Sequence, residues 1–148
     1  DRRVSEDLGF VLQCILRAES YDALPIDYYY YRQAREGSIT NRVTYKSFLG
    51  LKSFVKESID YLTENKIPKG NVERYAMSFV AYEFSIMIWE YTHVTKENQK
   101  EAIEFLKEYN WVLDYSVTKK TRLIKVLYKC LGITICANIL EFYMKHRS

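Results

Sequence analysis

Two adjacent carboxylates near one end, Glu6 and Asp7, and two guanidinium groups, Arg32 and Arg35, are the residues of this 148-residue chain best suited by type and spacing to chemistry. Adjacent residues on a helix point about 100° apart, so Glu6 and Asp7 cannot share one task. The positive end of a helix dipole favours the ionised, proton-accepting form of a carboxylate in the first turn. A guanidinium fork donates two parallel charge-assisted hydrogen bonds, which suits a phosphate or diphosphate. No Asp-x-Asp pair and no glycine-rich phosphate loop occur. His93 and His146 lack partners at ligand spacing, and no Ser-His-Asp or Cys-His set can be assembled.

These groups need elements to hold them. Ser5 is placed to cap a helix that begins at Glu6. Leu8, Val11, Leu12, Ile15 and Leu16 recur at three- and four-residue intervals, which predicts one apolar stripe to about Glu19. Pro25, Ile26 and the four tyrosines from Tyr28 to Tyr31 predict an extended segment near residues 24–32. Gly37 and Ser38 break that pattern, and Thr40 or Asn41 is placed to cap the next helix.

That order, SEDLGF, then an apolar helix, a tyrosine strand and YRQAREGSI, resembles the closing segment of the catalytic domain of family-2 inverting glycosyltransferases of the GT-A type. The resemblance covers about the first 41 residues. It implies that Asp7 is the base that takes the proton of the acceptor hydroxyl, with Glu6 its motif neighbour. It also implies that Arg32 or Arg35 meets the pyrophosphate of the nucleotide-sugar donor or an acceptor phosphate. Where the family carries a second acid before the phenylalanine, this chain has Gly9 before Phe10. The family's divalent cation, Mg or Mn, is held by an Asp-x-Asp motif on an upstream sheet, so residues outside this chain would bind it, and the fragment alone is expected to be inactive. The acceptor implied is a polysaccharide or a lipid-linked saccharide.

Beyond residue 41 the pattern is helical. Apolar positions predict helices over about 43–65, 72–91, 95–115 and 119–145, with a loop at 67–70. The second of these is apolar on most of its surface, as expected of the central helix of a bundle. The expected fold is therefore mainly α, a bundle of about five helices with a short extended segment. Residues 1–41 form the remnant of a catalytic domain, and residues 42–148 a helical C-terminal domain.

Composition agrees with such a fold. Hydrophobic residues make up 48% and charged residues 28%, with 5 Gly and 2 Pro. Fourteen tyrosines suit core packing for the most part. A net charge of +3 without a block of like charges argues against a nucleic-acid partner. Three cysteines in apolar patterns, Cys14, Cys130 and Cys136, read as reduced core residues of a cytoplasmic protein.

The run from Leu123 to Met144 is nearly continuously apolar. Its lysines argue against a true span and leave two expectations, a helix buried in the bundle or one lying peripherally on the inner face of the plasma membrane. The basic flank for that contact is Lys119, Lys120, Arg122, Lys125 and Lys129. A non-enzymatic helical interaction or membrane-surface module is the alternative to the transferase, and the unpaired edge of the tyrosine segment favours a homodimer.

Overall fold

The computed structural model describes residues 6–20, 22, 44–65 and 70–146. Five helices follow in order: α1 (Glu6–Arg17), α2 (Tyr45–Glu64), α3 (Asn71–Glu90), α4 (Gln99–Glu108) and α5 (Lys119–Lys145). Among the described residues there is no strand. The fold is mainly α and bundle-like, as the periodicity predicts. The segment expected to be extended, residues 24–32, lies outside the described residues, as does the boundary drawn near residue 41.

The bundle is built round α3. Met77, Val80, Ala81, Phe84, Met87 and Ile88 are buried on α3, and helices pack on it from several sides. Phe48, Leu51, Phe54 and Val55 of α2 close one side, Val112 and Leu113 of the segment after α4 another, and Tyr128, Cys136 and Ala137 of α5 a third, with Phe105 and Leu106 of α4 in the same core. Large apolar side chains of this kind each contribute roughly 1.5–3 kcal/mol when fully buried. Leu12 carries α1 into the same core, with Leu8 and Leu16 partly buried beside it.

Local chemistry sets the helix ends. The cap of α2 is Thr44, later than Thr40 or Asn41, and Ser47 Oγ accepts from the Thr44 N–H at 3.0 Å, satisfying an otherwise orphaned donor. The helix expected over 95–115 is interrupted. Asn110 Nδ2 donates to the Lys107 carbonyl at 2.7 Å, taking up one of the last free carbonyls of α4. The chain then continues as a 3₁₀ segment, Asn110–Tyr115, whose Val112 and Leu113 are fully buried. Thr118 caps α5, accepting from the Thr121 N–H at 3.1 Å.

Inside α5, Gly132 adopts φ 77° and ψ 176°, a conformation in essence open to glycine alone, and the helix kinks there. Asp114 binds two lysines of the first half of α5, Lys125 at 3.0 Å and Lys129 at 2.9 Å. The tyrosines are less interior than composition suggests. Tyr91 and Tyr128 are buried, while Tyr75, Tyr82 and Tyr143 stand exposed.

Candidate functional site

Asp7 is the second residue of α1, exposed to solvent in its first turn. Glu6 is the first residue of the same helix. Arg32 and Arg35 lie outside the described residues, so the four expected site residues are not brought together among those described. On α1, Leu12 points inward, whereas Phe10, Val11 and Ile15 are exposed at 71%, 46% and 64%. Val11 and Ile15 thus depart from the single stripe expected of this helix, which has one covered face and one bare apolar face.

The charge of Asp7 is felt on α3. Glu83 is buried there, and its pKa is pushed up to about 7, first by burial and then by the negative charge of Asp7. Glu90, two helical turns further on, is likewise raised to about 7. Burial is again the main cause, a hydrogen bond from Ser47 opposes it, and the charge of Glu83 adds to it. One carboxyl oxygen of Glu90, Oε2, is buried without a hydrogen-bond partner.

The single proton of the Ser47 hydroxyl is contested, because Ser47 Oγ also donates to the Thr44 carbonyl at 2.7 Å. Two carboxyls that hold protons near neutrality are therefore lined up along α3, behind Asp7. Sequence reasoning missed them. The available signal was a pair of acids, two turns apart, inside the otherwise apolar run of α3.

A cavity of about 20 Å³ lies between α1 and α2, bounded by Gly9, Leu12, Gln13, Phe54, Ser58 and Tyr61 among others. That is room for about one water, far below the several hundred Å³ of a small-molecule site. Arg17 stands at Tyr61, donating from Nε to the phenol oxygen at 2.8 Å, with its guanidinium 5.6 Å from the ring centroid.

A polar pin joins α3 to α5. Trp89 Nε1 donates to Glu141 Oε2 at 2.6 Å, Lys145 Nζ pairs with Glu141 Oε1 at 3.0 Å, and His93 Nε2 lies 4.0 Å from that oxygen. The Lys145 hydrogen bond leads in holding the Glu141 carboxyl below its ordinary range, followed in the same direction by the Trp89 N–H. His93 is thus placed among partners that its sequence context did not reveal. Nearby, Tyr128 donates to the Leu106 carbonyl at 2.9 Å, and burial pushes its phenol up to about 12.

Of the three cysteines only Cys136 is in the core, its thiol raised to about 11 by burial. Cys14 and Cys130 are exposed, which corrects the expectation that all three are core residues. Both sit on helix faces that the bundle leaves uncovered.

The described residues define an all-α bundle wrapped round one helix that carries two buried carboxyls. Among them, no group of three His, Cys, Asp or Glu could hold a metal ion. No protein-family model, curated protein or solved structure matches the chain.

Proposed function

We propose that this chain is the C-terminal part of a family-2 inverting glycosyltransferase, with Asp7 as the base of sugar transfer. Asp7 removes the proton from an acceptor hydroxyl, whose oxygen then attacks the anomeric carbon opposite the departing nucleoside diphosphate. Glu6 is its motif neighbour, and Arg32 and Arg35 are contacts for the phosphates of donor or acceptor. On this reading the divalent cation, Mg or Mn, is bound outside this chain, and the acceptor is a polysaccharide or lipid-linked saccharide.

The observation that carries the reading is the two-sided character of α1. Leu12 anchors the helix to the bundle, while Phe10, Val11 and Ile15 remain bare on the outside. A helix wedged between this bundle and a sheet-containing catalytic domain would show that pattern, because both faces would have something to cover them. Asp7 then stands exposed at the head of a fixed helix.

The test is transfer from a panel of nucleotide sugars by the intact protein that contains this chain. Asp7→Asn should lower the rate on the order of a hundred- to ten-thousandfold, the contribution of one positioned base. Asp22→Asn, at an exposed position beyond α1, should leave it unchanged. A normal rate from Asp7→Asn, or no transfer at all from the folded wild type, overturns the reading. The latter result favours the non-enzymatic alternative, a helical interaction or membrane-surface module.

A further inference from the structure

The break at Gly132 makes two arms of α5. Gly132 takes φ 77° and ψ 176°, and Cys136 Sγ lies 3.9 Å from the Ile124 carbonyl oxygen, so the second arm turns back along the first. The first arm is fastened by the Thr118 cap, by Asp114 on Lys125 and Lys129, and by Tyr128 on the Leu106 carbonyl. The second arm, residues 133–145, buries Ile133, Cys136 and Ala137, and among the described residues its polar hold on α3 is Glu141 alone. Glu141 Oε2 accepts from the Trp89 indole at 2.6 Å, and Oε1 pairs with Lys145 at 3.0 Å. His93, in the turn Tyr91–His93 that follows α3, brings Nε2 to 4.0 Å from Oε1, beyond hydrogen-bond reach.

The hydrogen bonds around His93 assign its tautomer. The Thr92 hydroxyl has one proton, and it goes to the Trp89 carbonyl at 2.9 Å, since a carbonyl can only accept. Thr92 Oγ1 is then an acceptor toward His93 Nδ1, 2.9 Å away, so the neutral ring carries its proton on Nδ1. Nε2 therefore turns a lone pair toward the Glu141 carboxylate, a contact without attraction. A second proton can enter only at Nε2, and it makes that contact a charge-assisted one. The side chains of His93 and Glu141 are 31% and 19% exposed, open enough to trade a proton and covered enough to limit screening. Lys145 of α5 is the other charged group at this carboxylate, and the neutral indole of Trp89 stands edge-on to the imidazole at 5.9 Å. The helix α2 also packs on this turn. Its Ser47 is engaged with Glu90, the acid of α3 next to the turn, and no acid of α2 pairs with the ring among the described residues.

We propose that His93 is a proton-operated clasp on the second arm of α5. In acid it fastens Glu141 to the turn after α3, and on losing the Nε2 proton it leaves that arm held by fewer contacts and free to swing at Gly132. The hold is complete in acid and fades as pH rises through the histidine range. This inference does not rest on the transferase reading.

Amide hydrogen exchange of the wild-type chain, corrected for the intrinsic pH dependence of exchange, tests it. From about pH 7.5 to about pH 5.5, protection of residues 134–145 should rise on the order of fivefold more than that of residues 121–129, the worth of one partly shielded ion pair. Comparing the two arms removes the contribution of Glu83 and Glu90, which acts on the whole bundle. Glutamine cannot take up the proton, so His93→Gln should bring both arms to the same response. Thr92→Val frees the neutral ring to hold its proton on Nε2 and should shrink the difference as well. Nitrogen-15 spectra of the wild-type imidazole at about pH 8 need no variant and should show the proton on Nδ1. Three results overturn the proposal: an equal pH response of the two arms in the wild type, an undiminished difference in His93→Gln, or a neutral ring protonated on Nε2.

Discussion

Replacing Glu90 by Gln should stabilise this protein at alkaline pH and leave it almost unchanged at acid pH. The carboxyl is raised from 4.5 to about 7, mainly by burial, and its Oε2 lacks a partner. Asp7 on α1, Ser47 on α2 and Glu83 on α3 are the polar groups whose charge or hydrogen bonding shifts the Glu83–Glu90 line. Between these two values the native state keeps a proton that the unfolded chain has released. The stability linked to it is complete below about 4.5 and is lost as pH rises through 7. Carried over whole, a rise of that size corresponds to about 3 kcal/mol. Local relaxation when the carboxyl ionises offsets part of it, and about 1–2 kcal/mol is the expected yield.

Gln keeps the shape of the side chain and removes its charge. Urea unfolding followed by circular dichroism should therefore place the variant about 1–2 kcal/mol above wild type near pH 8, and within about 0.5 kcal/mol of it near pH 5. The difference between the two pH values is the deciding quantity, because a packing change would shift both alike. An equal offset at both, or a variant less stable near pH 8, refutes the reasoning.

Two backbone predictions can be checked in the same unfolding assay. A Cβ added to Gly9 would meet nothing within 4 Å, so Gly9→Ala should raise stability by about 0.5–1 kcal/mol through helix propensity; a loss would mean that α1 is closely approached there. Gly132→Ala forces a side chain into a positive-φ conformation and should cost about 1–3 kcal/mol; an unchanged urea midpoint would show that α5 straightens without penalty.

Much of the bundle was legible from periodicity, because one buried face repeats along a helix whatever its neighbours are. Phe48, Leu51, Val55 and Leu62 of α2 are buried as their spacing predicts, and the broad apolar surface of α3 marked the central helix. Which of two apolar faces gets covered depends on tertiary partners, and so Val11 and Ile15 were assigned to the core and are exposed. The same holds for Cys14 and Cys130. At the break after α4 the Asn110 amide donates to the Lys107 carbonyl and the Tyr128 hydroxyl to that of Leu106, contacts that leave no period in the sequence. The Gly132 kink is equally local, since Leu131 and Ile133 on either side continue an unbroken apolar run.

In the candidate site, the start of α1 at Glu6 was readable because acids in a first turn are a local signal, while Ser5, the expected cap, lies outside the described residues. The pair behind it was not, because a glutamate's pKa is set by what surrounds it in space, and the apolar run around Glu83 and Glu90 hints at burial without showing which groups face them.

The indole of Trp89, clamped by the Glu141 carboxylate across the α3–α5 junction, gives the molecule an internal optical gauge. If the last helix lifts away, that indole loses its charged acceptor and gains water, and its emission should move to the red. The second indole, Trp111, is already 41% exposed and responds little. Emission from Trp89 thus separates a protein that keeps its final helix in place on meeting a partner from one that releases it.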